Sequence, residues 1–269
     1  MKLDTKRSQE VSLKILKIVT DVCEKLNLNY YLMYGTLIGA VRHKGFIPWD
    51  DDIDIMMPRK DHDILVNYFF SNPTALRGLE LFTPYNNKKY PYMITRISNP
   101  NFKILIQNEE LYGMGVFIDI YPFDGLGNNL GEALRIEKKG DRLSSLCYLS
   151  TRKHFAKENT KGTMKNIVKF PIFLLAKIIG KNYFQRRLNK LKNYSFDNSK
   201  YVCCTIWASG GRKDIFKSEW FKNFTYAQFE DYKFRIPIDY DDVLKHVYGD
   251  YMKLPDSTKR IGHHFYVIS

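Results

Sequence analysis

The stretch 49–58, WDDDIDIMMP, fuses a cluster of acids to an apolar run. Carboxylates this close repel one another, so a fold that keeps Asp50, Asp51, Asp52 and Asp54 together usually brings a cation to them. From Asp52 to Ile55, acid and isoleucine alternate. Strand geometry sends alternate side chains to the same face, which sets Asp52 beside Asp54 and turns Ile53 and Ile55 into the core. Asp50 is then auxiliary and Asp51 faces away. The chain must therefore fold around a strand with one face buried and the other rimmed by carboxylates.

Three chemistries compete for this cluster. A calcium loop of the EF-hand type would use Asp50, Asp52 and Asp54 as alternate ligands, but it needs glycine at its sixth position, where this chain has Ile55. A solvated acidic turn sits poorly with Trp49 before the acids and Ile53, Ile55 and Met56 among and after them. A magnesium site for phosphoryl transfer needs two neighbouring strand carboxylates and a third from another strand. FIDIY at 117–121 supplies that third acid, because Asp119 within so apolar a strand is expensive to bury unless paired or metal-bound. Asp124 follows in the next turn.

The residues upstream suit an anionic ligand. Residues 30–34, YYLMY, read as a short strand that Gly35 breaks, and Thr36 can cap a helix over about 37–42. A strand passing through Gly-Thr into a helix offers free N–H groups to a phosphate. Arg42, His43 and Lys44 add positive charge before the loop that leads to the acids.

Elsewhere the pattern gives an amphipathic helix over 8–27, with Val11, Ile15, Ile18, Val19, Val22 and Leu26 at helical spacing. A helix over 61–70 turns Ile64, Leu65 and Phe69 inward. Short strands fall near 79–83, 92–97 (which contains Arg96) and 103–107, with a turn at Asn99-Pro100-Asn101. From about 130 to 195 the chain is helical, basic and rich in apolar residues. A short helix near 239–247 precedes YGDYM and a tail carrying Lys259, Arg260, His263 and His264, which can close over an anion. These elements set the expected organisation: a catalytic core over 1–125, a basic helical insertion over 126–200 and a C-terminal section over 201–269 completing the site.

The net charge of +13 admits nucleic acid, an anionic membrane surface or a phosphate-rich substrate as partner. Four cysteines without CxxC spacing fit a reducing compartment and argue against a zinc site. The N-terminus lacks the continuous apolar core of a signal peptide. No run approaches the roughly 18 to 20 apolar residues of a membrane span. A cytoplasmic protein is expected, peripheral at the inner face of the membrane if the basic helical section lies on anionic lipid.

Three segments carry a resemblance. YGTLIGAVRHKGFIPWDDDIDIMMP at 34–58, FIDIYPFDG at 117–125, and YGDYMKLP at 248–255 followed by Lys259, Arg260 and His263-His264 resemble the LicD family. The resemblance implies an α/β nucleotidyltransferase-like core, a mixed sheet carrying a helical insertion. It implies transfer of phosphocholine from CDP-choline to a sugar hydroxyl of a teichoic-acid or other cell-surface glycan precursor, with release of CMP. Asp52 and Asp54 would bind Mg²⁺ at the donor diphosphate with Asp50 assisting, and Asp119 would complete the metal site or take the acceptor proton. Gly35 and Thr36 would contact the donor phosphates, with Arg42, His43 and Arg96 as charge partners. Lys259, Arg260 and His263 would touch donor or acceptor. A lipid-linked glycan is the implied acceptor, and no nucleic acid is implied as partner. Transfer of a nucleotide or of another CDP-activated phospho-alcohol (ribitol, glycerol), and a non-catalytic basic module that binds membrane or glycan, are the alternatives.

Overall fold

The computed structural model describes residues 4–104, 108–110, 112–155, 163–207, 210–256, 258 and 260, with only the backbone described over 163–168. Asp4 caps the first helix, α1 (Thr5–Lys25), by accepting a hydrogen bond from Arg7 N at 2.7 Å. Its buried face includes Val11, Ile15, Leu16, Val19 and Val22. Strand β1 (Tyr31–Leu32) leads into a short helix, α2 (Tyr34–Ile38), which continues as a π-helical turn over Gly39–His43. Then come β2 (Asp54–Pro58), α3 (Arg59–Ser71), β3 (Glu80–Phe82), β4 (Thr95–Lys103) and β5 (Gly115–Gly125).

Every residue of β5 is buried, and the sheet is ordered around it. The path runs β1-β2-β5-β4-β3, with β2 parallel to β5 and the other pairs antiparallel. A strand buried on both faces needs layers above and below, and α1 and α3 both pack against β5. The fold is a mixed-sheet α/β architecture.

Two expected turns are strand instead. β4 runs straight through Asn99-Pro100-Asn101, accommodated by a register shift between Asn99 and Lys103. Asp124 lies inside β5, not in a turn, and is fully buried. It is bound by Arg59 at 2.7 and 2.8 Å, and this bidentate pairing makes its burial tolerable. In α3, Leu65, Val66 and Phe69 face the core, whereas Ile64, expected inward, is 41% exposed. The expected strand near 103–107 lies partly outside the described residues.

Three helices follow: α4 (Leu130–Thr151), α5 (Thr163–Ile179) and α6 (Lys181–Asn189). The chain then returns to the sheet. β6 (Tyr201–Cys203) pairs with β5 at Asp124 and Gly125, and β7 (Phe216–Lys217) pairs with β6. A hairpin, β8 (Phe224–Phe229) and β9 (Tyr232–Pro237), precedes α7 (Tyr240–Tyr248). The hairpin tip braces the loop before the acids, since Glu230 N donates to Lys44 O at 2.8 Å and the Glu230 carboxylate accepts from Phe46 N at 3.0 Å.

Candidate active site

The acidic loop is held from two sides before it enters β2. From α1, the Gln9 amide donates to Asp50 O at 2.7 Å and to Ile47 O at 3.3 Å. From α2, Thr36 Oγ1 accepts from Asp54 N at 2.9 Å, while Met33 N donates to Asp54 O at 3.0 Å. Thr36 was expected to cap a helix and meet phosphate; it lies inside α2, which begins at Tyr34, and its hydroxyl fixes the acidic strand. Gly35 is also inside α2. A Cβ there would sit 2.7 Å from Asp50 Oδ2, so the absent side chain is the space the Asp50 carboxylate occupies.

Asp50, Asp51 and Asp52 each offer a carboxylate oxygen within 4.8 Å of the others. Asp51, expected to face away, is 3% exposed and belongs to this group. Asp52 and Asp54 are half-buried, over the fully buried Ile53 and Ile55. Parallel pairing sets Asp54 directly opposite Asp119. Burial raises the Asp54 carboxyl well above the ordinary range, and Asp52, Asp119 and Asp50 push it further; Arg96 offsets part of this. Burial also raises Asp50, against a hydrogen bond from Asp52 that favours its charged form. An oxygen-only donor set held together against its own repulsion fits a hard divalent cation such as Mg²⁺.

Asp119 is not alone at its position. Arg96 Nε donates to its Oδ1 at 2.5 Å and Nη2 to its Oδ2 at 3.2 Å, with Tyr121 Oη 3.4 Å from Oδ2. The guanidinium lies between the rings of Tyr92 and Phe117, 4.0 Å from each centroid. Arg96 Nη1 is buried without a hydrogen-bond partner among the described residues. Arg96 thus reaches the cluster through Asp119, 5% exposed itself.

The other cations are distributed differently. Arg42 Nη1 donates to Tyr251 O, which ties the turn after α7 to the π-helical turn. His43 packs edge-to-face on Trp49 at 6.4 Å, and burial and then Arg42 lower its pKa. On the Trp49 ring sits Arg260, 5.3 Å from the centroid, so the C-terminal section comes back to the residue that opens the acidic cluster. Lys259, His263 and His264 lie outside the described residues.

The sequence reading gave no role to the aromatic residues around the acids. Tyr34 and Tyr121 pack edge-to-face at 5.4 Å. The Tyr248 phenol is pushed up by burial and then by the charges of Asp54, Asp50 and Asp52. Tyr34 is raised by burial and then by Asp214, an acid from the short turn Gly211–Asp214. Tyr34, Tyr121 and Tyr248 each lie within one of the three motif segments, and that was the available signal. The arrangement offers carboxylates for a cation, a buried guanidinium to fix one of them, and aromatic surface beside both.

A family model described as LicD/FKTN/FKRP, nucleotidyltransferase domain, matches residues 27–142. The chain is 33% identical to the lipopolysaccharide cholinephosphotransferase LicD of Haemophilus influenzae, over 98% of this chain and 97% of that protein. It is 44% identical to an uncharacterized protein of Rickettsia prowazekii over 43% of this chain and 51% of that one.

Proposed function

The chain belongs to the LicD family, and on that premise we propose that it transfers phosphocholine from CDP-choline to a sugar hydroxyl of a cell-surface glycan precursor, releasing CMP. The observation that carries this reading is the convergence of Asp50, Asp51 and Asp52 with Asp54 and its opposite number Asp119. Asp50, Asp52, Asp54 and Asp119 would hold a Mg²⁺ ion, which would supply charge neutralisation at the donor diphosphate. In the reaction the acceptor oxygen forms a bond to the choline-bearing phosphorus, and the bridging P–O bond breaks so that its oxygen leaves with CMP. The acceptor proton passes to a carboxylate. Asp119, with both oxygens engaged by Arg96, is held in its place beside Asp54.

Donor selection falls to the aromatic residues. A trimethylammonium group is bound by ring faces and by nearby negative charge, and Tyr34 and Tyr248 stand beside the acids. Arg260 and His43, grouped about Trp49, are the remaining candidates for phosphate contact, with Lys259 and His263 from the adjoining tail. The acceptor is a lipid-linked precursor of lipopolysaccharide or a teichoic-acid-like polymer.

Incubation with CDP-choline, Mg²⁺ and such an acceptor is expected to release CMP and leave phosphocholine on the glycan. A cytidylated acceptor without free CMP would assign nucleotide transfer instead. Asp52→Asn/Asp54→Asn should lower the rate at least about 100-fold without lowering Tm, since it removes mutually repelling charges. Full activity in that variant would remove the acids from the mechanism. In thermal shift, CDP-choline should stabilise the protein more than CDP-ribitol or CDP-glycerol, and Tyr248→Ala should erase that preference.

A further inference from the structure

Helix α5 wears its apolar side outward. Phe173 and Ala176 are buried, 6% and 1% exposed, and mark the face turned to the protein. At about 100° per residue the opposite face carries Leu174, Leu175 and Ile178, which are 45%, 57% and 82% exposed. Phe170, Ile172 and Ile179 flank it at 45%, 41% and 41%. Among the described side chains of α5 the charges are Lys169 and Lys177, and neither projects from that outer face. An ordinary surface helix has the reverse arrangement, and a patch of this kind marks a contact surface.

Charge decides what covers it. From residue 160 to 196 the sequence holds no Asp or Glu, while Lys and Arg recur throughout. Arg186, Arg187 and Lys190, in and just after the next helix α6, are exposed. A symmetric contact between two copies would bring this basic segment against itself, with like charges opposed around the apolar centre. An anionic bilayer satisfies both features, taking the apolar face into its headgroup boundary and the cations at its surface. Among the described residues no helix is long and apolar enough to cross a membrane.

We propose that α5, flanked by the cations of α6, docks the protein on the surface of an anionic lipid bilayer, lying in the interface with Leu174, Leu175 and Ile178 inserted. This docking depends on no step of the transfer reaction.

Flotation of the full chain with vesicles tests it. The protein should float with phosphatidylglycerol/phosphatidylcholine vesicles at low salt and be released as salt rises. Leu175→Asp/Ile178→Asp should weaken partition at least about tenfold, and Arg186→Glu/Arg187→Glu should weaken it and blunt its salt dependence. Both pairs are exposed or flanking, so circular dichroism and Tm should be unchanged. Absence of flotation, equal flotation with pure phosphatidylcholine, or undiminished flotation of the aspartate variant would each overturn the proposal. A dimer in sedimentation that the aspartate variant dissociates, with no vesicle binding, would assign the face to a second copy.

Discussion

Gly35 shows how one residue serves the site by what it lacks. Alanine there would gain about 1 kcal/mol of helix propensity, but its Cβ would meet Asp50 Oδ2 at 2.7 Å. Those effects oppose in stability and not in function. Gly35→Ala should therefore melt within a few degrees of the parent while losing about 100-fold in transfer rate, the scale of a 1 Å misplacement. An unaltered rate would mean that the Asp50 position is not critical. Arg96 shows the complementary case. The sequence offers it as a charge partner for the donor; in the structure it pairs with Asp119, 4.0 Å from each of two aromatic rings.

At the scale of elements, α3 carries a pH response of its own. His62 is buried, with Nδ1 2.8 Å from Asp63 and Nε2 2.9 Å from Thr95 Oγ1. Burial lowers its pKa below the ordinary 6.5, so the folded protein holds it neutral. The unfolded chain binds the proton that folded His62 refuses, so this contribution is complete above about pH 6.5 and fades as pH falls below it. Tm should drop on acidification through that window, and His62→Gln should flatten the slope in melts taken from pH 7 to pH 5. A slope identical in both proteins would exclude His62 as its source. Asp63 is depressed despite partial burial, because His62 and Tyr194 hydrogen-bond to it and Arg59 lies near; its share of stability is lost only at more acid pH. The position of α3 follows from Pro58, which closes β2 and turns the chain into Arg59.

At the scale of the whole molecule, Asp124 gathers three stretches far apart in the chain. It accepts from Arg59 of the N-terminal part, from Asn193 N at 3.0 Å after α6, and from Thr205 Oγ1 at 2.5 Å beyond β6. Removing the charge from one member of a buried pair leaves the other uncompensated, at roughly 3–5 kcal/mol. Asp124→Asn should lower the urea midpoint accordingly, with fluorescence and far-UV signals still coinciding in one transition. A midpoint unchanged from the parent would mean that the Arg59–Asp124 pair does not support the fold. This residue also explains why sections that read as successive in sequence share one sheet: β6 and β7 extend from the end of β5 where Asp124 lies.

The sequence by itself determined whatever depends on the alternation of neighbouring side chains. It set Ile53 and Ile55 beneath Asp52 and Asp54, made the β5 segment a strand too apolar to expose, and identified the family through three short segments. It did not reveal that Asp51 joins the other acids, that Arg96 belongs to Asp119, that Asp124 is a junction, or that α5 turns its apolar face outward. Periodicity records which side chains share a face of one element. What that face meets is set by register and packing between residues far apart in the chain, so the partner of each face was decided only in the tertiary structure.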